Sequence, residues 1–238
     1  MPAAPAPSVA KPPPPKGTWR GQLNVGIATT TGTRNQQDYF GQVQLTYEQA
    51  YASNPKKFFR NTAQLDGEYQ RTGGDVSANR ANVNNKSDFD IGDNVYGYLN
   101  GGGGFDRVRR IDAQYQVGAG LGWHWIRRET VVVNLESGYD YLAQRLSNAP
   151  DLDTHSLRLA ENLTWSIAKN VKLTQRLAVY PSLDQAGEGR GVFNVTLSYG
   201  FWKNLTLNLI VTDNYNTQVA PGVNRNELQT RLTLGVTF

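Results

Sequence analysis

The chain has 238 residues, of which 39% are hydrophobic and 18% charged, with a mean hydropathy of −0.53 and a formal net charge of +4. No apolar run approaches the ~18 to 20 residues that a spanning helix needs, and the absence of cysteine excludes a disulfide framework, a thiolate metal site and a thiol nucleophile. The excess of Lys and Arg is small and scattered, whereas nucleic-acid binders concentrate it on one face or tail, so nucleic acid is not an expected partner.

Residues 1–17 hold Pro2, Pro5, Pro7 and Pro12 to Pro15 among Ala, Ser and Lys, a composition that predicts a disordered, polyproline-like tail. The segment has neither the charged start nor the apolar stretch of a signal peptide, and reads as the beginning of a mature exported chain. From Thr18 onward apolar and polar residues alternate by twos, the pattern of strands with one apolar face. Twelve strands are predicted, at 18–29, 37–51, 57–71, 78–91, 94–100, 106–126, 129–145, 154–167, 170–182, 190–202, 204–216 and 225–238, with Gly92-Asp93 as the weakest break. The remaining prolines, Pro55, Pro150, Pro181 and Pro221, fall between these runs or at their ends, where a missing N–H costs no ladder bond. Tight turns at 54–56, 92–93, 126–129, 169 and 203 alternate with longer loops at 29–36, 72–77, 100–105, 146–153, 182–188 and 216–224.

Alternation alone does not say which face points outward, since a soluble barrel or sandwich also alternates. Four features favour a lipid-facing exterior. The polar face is rich in charge, including Arg20, Arg60, Arg80, Lys86, Asp88, Asp90 and Asp140 beside the residues singled out below. Aromatic side chains gather at strand ends and sort by end: Trp19, Trp123, Trp125, Trp165 and Trp202 on the short-turn side, Tyr39, Tyr69, Tyr98, Tyr139, Tyr141, Tyr180 and Tyr215 on the long-loop side. Rings with a polar edge belong at the two membrane interfaces. Most strands reach the ~9 to 11 residues that a tilted crossing needs, and an even strand number returns both termini to one side. The expected fold is therefore all-β, a single closed antiparallel transmembrane barrel over 18–238 with short periplasmic turns and longer extracellular loops.

Trp19-Arg20-Gly21 followed by Thr31-Gly32, Phe105-Asp106-Arg107, Gly118 to Trp123, and Leu135-Glu136-Ser137-Gly138-Tyr139 resemble the DUF481 family of salt-induced outer-membrane proteins of Gram-negative bacteria. The resemblance covers about 17 to 238 and implies a barrel and an outer-membrane location, with no established activity. The last residues, with Leu232, Leu234, Val236 and Phe238 at alternate positions, look like the C-terminal signal that such barrels present to the assembly machinery.

The candidate wall residues of a pore are Arg110, Arg158, Arg176, Arg231, Asp66, Glu68, Asp112 and Glu136. Lumenal charges must be paired or wet, so they form either a salt-bridged plug or the walls of an aqueous channel. Equal numbers of the two signs argue against strong ion selectivity. Gly118, Gly120 and Gly122 lie inside a strand with no helix after them, which removes a phosphate-loop reading and leaves lumenal space opposite bulky groups. Asn100 to Gly104 reads as a flexible external loop. His124 is expected on the lumenal face near Glu136 and Asp140, and His155 near the outer rim beside Ser156, Asp151 and Asp153. The turn-side cations Lys11, Lys16, Lys56, Lys57, Arg127, Arg128, Lys169 and Lys203 would meet anionic headgroups, at roughly 1 kcal/mol each when well placed.

The expected function is a narrow passive channel for small hydrophilic solutes, without cofactor, metal or catalytic residues. The alternatives are a structural or stress-response barrel closed by ion pairs, and a hydrolase using His155. Expected partners are outer-membrane lipids, the barrel-assembly machinery and, through the tail, cell-wall material.

Overall fold

The computed structural model describes residues 16–30, 35–220 and 222–238, so the tail expected over 1–17 lies almost wholly outside the described residues. Twelve strands follow in chain order: β1 (Thr18–Thr30), β2 (Gln36–Tyr51), β3 (Asn54–Thr72), β4 (Asp75–Asp90), β5 (Val95–Asp106), β6 (Ile111–Arg127), β7 (Val131–Leu146), β8 (Leu152–Ala168), β9 (Val171–Pro181), β10 (Gly189–Trp202), β11 (Leu205–Asn216) and β12 (Asn226–Thr237). Each pairs antiparallel with the next in sequence, and β12 returns to β1, closing a single barrel. Closure gives every strand two partners and leaves no edge.

The seam between β1 and β12 is short, with register pairs running only from Gln22–Thr237 to Val25–Leu234. It is pinned beyond the ladder by Gly21 N–H to Phe238 O at 2.6 Å and Phe238 N–H to Gly21 O at 2.9 Å. The Phe238 ring lies over Gly21, where a Cβ would meet ring carbon at 2.2 Å. Only glycine leaves the terminal ring that seat.

Side chains at even positions point inward through most of the barrel. On β8, Thr154, Ser156, Arg158 and Ala160 are buried while the intervening His155, Leu157 and Leu159 are exposed. The outward face carries large apolar groups left uncovered, among them Leu65, Val83, Leu99, Val117, Leu121, Leu232 and Leu234. An apolar exterior around a polar interior inverts the pattern of a soluble barrel.

All five tryptophans are exposed on the outer surface toward the end at which β1 begins and β12 finishes. Trp19, Tyr47, Phe59 and Phe89 make a line of rings across β1 to β4 there, with successive centroids 4.9, 6.3 and 5.1 Å apart. Tyr39, Tyr139 and Tyr215 are exposed at the other end, and Tyr141 is half-buried beside them. Tyr98 and Tyr180, expected in this outer belt, instead point into the lumen and are nearly inaccessible, because both occupy even positions.

The loops differ from expectation in two places. Gly73 and Gly74, both with positive φ, close β3 and β4 in a two-residue turn where a longer loop was expected. Asn100 to Gly104 forms part of β5, paired on one side with Asn82 to Lys86 and on the other with Gln114 to Gly118. Glycine hides the alternation because it has no side chain to display it. Among the described residues, the contrast between the two ends rests on the loops at 147–151, 182–188 and 217–225.

A second correction concerns phase. Arg110 lies in the 107–110 turn with φ 61°, off the strand. A register shift between Ile111 and Ala113 turns Ile111 inward and leaves Asp112 exposed, where it pairs with Arg107. Both residues belong to the rim.

Candidate lumenal site

The interior holds a polar cavity of about 640 Å³. Its lining runs from Arg60, Asp88 and Thr164, toward the short-turn end, to Ile111, Gln144 and Asn216 near the other. On β7 alone the lining spans Asn134 to Gln144, about 25 Å of axial height for a strand rising ~3.4 Å per residue and tilted ~40°.

Four polar clusters narrow this lumen. In the first, Glu136 of β7 accepts a hydrogen bond from Tyr96 Oη at 2.6 Å and is ion-paired with Lys86 Nζ at 2.8 Å and Arg158 Nη2 at 2.7 Å. Lys86 also meets Asp88. The Arg158 and Glu136 side chains are each about 1% exposed, so neither charge has water to fall back on. The Tyr98 ring lies between the two cations, 4.9 Å from the Arg158 guanidinium and 5.0 Å from Lys86 Nζ.

Glycines make room for this cluster. A Cβ on Gly122 would fall 2.1 Å from the Tyr96 ring, and one on Gly120 or Gly138 would fall 2.6 or 2.3 Å from the Tyr98 hydroxyl. The alternate glycines of β6 therefore serve as the space into which two lumenal tyrosines fold.

The second cluster joins β3, β4 and β12. Arg80 reaches Glu68 at 2.5 Å and Glu227 at 3.0 Å, while Arg231 pairs with the other oxygen of Glu68 and lies 4.7 Å from the Phe40 ring. In the third, Arg190 of β10 pairs with the fully buried Asp140 of β7, which also accepts from Gln116 Nε2 at 2.6 Å. The Arg190 guanidinium stacks 3.8 Å from the Tyr180 ring. In the fourth, Asp90 receives Phe58 N–H at 3.1 Å and faces His124 Nε2 at 3.1 Å and Arg127 Nη2 at 3.2 Å.

Of the residues singled out from the sequence, Asp66, Glu68, Glu136 and Arg176 line the cavity, Arg158 and Arg231 sit in clusters beneath its surface, and Arg110 and Asp112 are displaced to the rim. Tyr96, Tyr98, Tyr180 and Arg190 were not picked out as lumenal from sequence. Their even positions on β5, β9 and β10 carried the signal, which ring size and strand-end location masked. His124 is lumenal, but its partners are Asp90 and Asn134 rather than Glu136 and Asp140. His155 lies on the outer surface against Tyr139 and Tyr141, while Ser156 points into the lumen, so these neighbours in sequence occupy opposite faces of the sheet. Asp151 pairs with Arg145, and Asp153 accepts from Tyr141 Oη at 3.2 Å.

A closed twelve-stranded antiparallel barrel with an apolar exterior, aromatic rings at both ends and a charged, cavity-bearing interior defines the class of outer-membrane β-barrels. Within it the chain belongs to the DUF481 family, described as proteins of unknown function, which matches residues 23–238. No curated protein sequence matches the chain. Among solved structures it is similar to the NanC porin, at 11% identity over 93% of this chain and 99% of that one, with a TM-score of 0.52. It is also similar to the COG4313 outer membrane channel from Pseudomonas putida F1, at 10% identity over 99% of this chain and 100% of that one, TM-score 0.49. The KdgM porin shares 12% identity over 93% of this chain and 98% of its own, TM-score 0.45.

Proposed function

We propose that the barrel spans the bacterial outer membrane and acts there as a narrow passive channel for small hydrophilic solutes. The observation that carries this reading is the polar cavity that follows β7 from Asn134 to Gln144. Its walls offer amide, hydroxyl and charged groups that replace water of hydration along the path, and no reacting group is needed for transit. The lipid-facing exterior, the aromatic rings at both ends and the turn-side cations Lys56, Lys57, Arg127, Arg128, Lys169 and Lys203 support a membrane setting with anionic headgroups on the turn side. The alternating apolar residues ending at Phe238 suit docking to the assembly machinery, and the Pro-rich tail suits a spacer reaching toward cell-wall material.

A second reading is favoured by the ion pairs that tie β4 to β12 and β7 to β10 across the interior: a structural envelope barrel whose lumen is held shut. Planar-bilayer recording of the pure protein separates the two. Discrete conductance steps above background support the channel, and silence at all voltages and salt concentrations supports the closed barrel.

A further inference from the structure

The chain carries 24 Lys and Arg against 20 Asp and Glu, and the inward charges of the two signs segregate around the barrel wall. Among the described residues, every inward carboxylate lies on β2 to β7 or, as Glu227, on β12. The inward faces of β8 to β11 carry Arg158, Lys172, Arg176 and Arg190 and no acid. Arg158 and Arg190 are held by Glu136 and Asp140 of β7. Among the described residues, Lys172 and Arg176 have no carboxylate within ion-pair range, and both are exposed on the inward face of β9.

Their surroundings are neutral donors. In register, Arg176 is flanked by Asn162 and Asn194, and Lys172 by Ser166 and Ser198. Thr212 Oγ1 donates to Asn194 Oδ1 at 2.8 Å, and both residues line the cavity. Toward the short-turn end, Arg20 of β1 repels Lys172 and adds to the positive field. Asp66 lines the same cavity from β3 and repels anions toward β9. A planar guanidinium and an ammonium among amide and hydroxyl donors make a good match for an anion bearing a carboxylate or phosphate group.

We propose that the inward face of β9 is an anion track, with Lys172 and Arg176 as two successive binding positions about 13 Å apart along the strand. It selects small solutes carrying a carboxylate or phosphate group. Two adjacent weak positions allow an anion to enter and leave, which a single tight site would prevent. The proposal rests on the channel reading and names its substrate class.

The test is bilayer recording in a KCl gradient with wild type and the double variant Lys172→Gln/Arg176→Gln, its folding checked by heat-modifiable migration. The expected result is a chloride-over-potassium permeability ratio above about 3 in the wild type that falls to about 1 in the variant while current persists. Inorganic phosphate added to one side blocks the wild-type current at a concentration at least about tenfold lower than in the variant. Current with the same ratio in both proteins, or cation preference in the wild type, overturns the anion track and leaves the channel standing. Absence of wild-type current overturns the channel, and calorimetric titration of the detergent-solubilised barrel with inorganic phosphate then decides the site. Saturable binding weakened about tenfold in the variant upholds it, and equal or absent binding overturns it.

Discussion

Arg80 on β4 and Glu227 on β12 form an ion pair, Nη1 to Oε1 at 3.0 Å, between strands that share no ladder. The guanidinium is shared with Glu68 on β3 and lies 3.8 Å from Asp106 on β5, so one cation holds three carboxylates at the same level of the lumen. Attraction across the lumen thereby narrows the path and braces two stretches of wall four strands apart in one contact.

Replacing Arg80 by Met removes the brace and leaves Glu68, Glu227 and Asp106 to repel one another. The side chain is largely but not completely buried, so the expected loss is about 1–3 kcal/mol in urea unfolding from detergent. In bilayer recordings the unit conductance of the variant should rise, because the obstruction goes with the side chain. An unchanged conductance would show that the constriction lies elsewhere.

The Glu136 cluster should be the most sensitive to single changes. Glu136→Gln leaves the buried Arg158 without its carboxylate and Lys86 with Asp88 alone, and should cost about 3–5 kcal/mol. A double-mutant cycle with Arg158→Met should recover part of that loss, because the second change removes the orphaned charge. By contrast, Arg145→Gln breaks an exposed pair with Asp151 at the rim and should leave the urea midpoint unchanged.

Gly122→Val places a branched side chain where the Tyr96 ring now sits. The ring must move, and with it the hydroxyl that donates to Glu136, so overpacking and a lost charge-assisted hydrogen bond act together. The expected destabilisation is about 2–4 kcal/mol by urea titration. Gly97→Ala, on the outward face of the neighbouring strand with open space around it, should be tolerated in the same assay.

All five tryptophans are expected at one membrane interface. In vesicles containing lipids brominated at defined depths, fluorescence should be quenched most by labels near the headgroups and least by labels near the bilayer centre. Single Trp→Phe variants at Trp123, Trp165 and Trp202 should each lower the intensity without changing this depth profile. A tryptophan quenched best from the centre would displace the membrane boundary.

Much of the architecture was written in the two-residue alternation. It carried the twelve strands, their order and the inward setting of Glu68, Glu136 and Arg158, since each sits on the polar side of a clear repeat. The repeat failed where side chains are missing, as at Gly101 to Gly104, and where the backbone slips phase, as between Ile111 and Ala113. Tyr98 and Tyr180 were misplaced because large rings near strand ends suggest a lipid interface, whereas here they cover buried guanidinium groups. Pairings such as Arg80 with Glu227 or Arg190 with Asp140 cross the barrel interior. They depend on strand tilt and stagger, which a linear pattern does not encode.

The short seam has a consequence for assembly. Eleven of the twelve ladders join neighbours in sequence, so each can form as a local hairpin at little entropic cost, but the β1–β12 ladder must bring together the two ends of nearly the whole chain. With only a few paired residues and the Phe238–Gly21 clasp to reward that long closure, the seam should zip last and open first. The same short stretch of backbone is thus the expected last step of barrel closure and the expected point of entry for a partner strand into the wall.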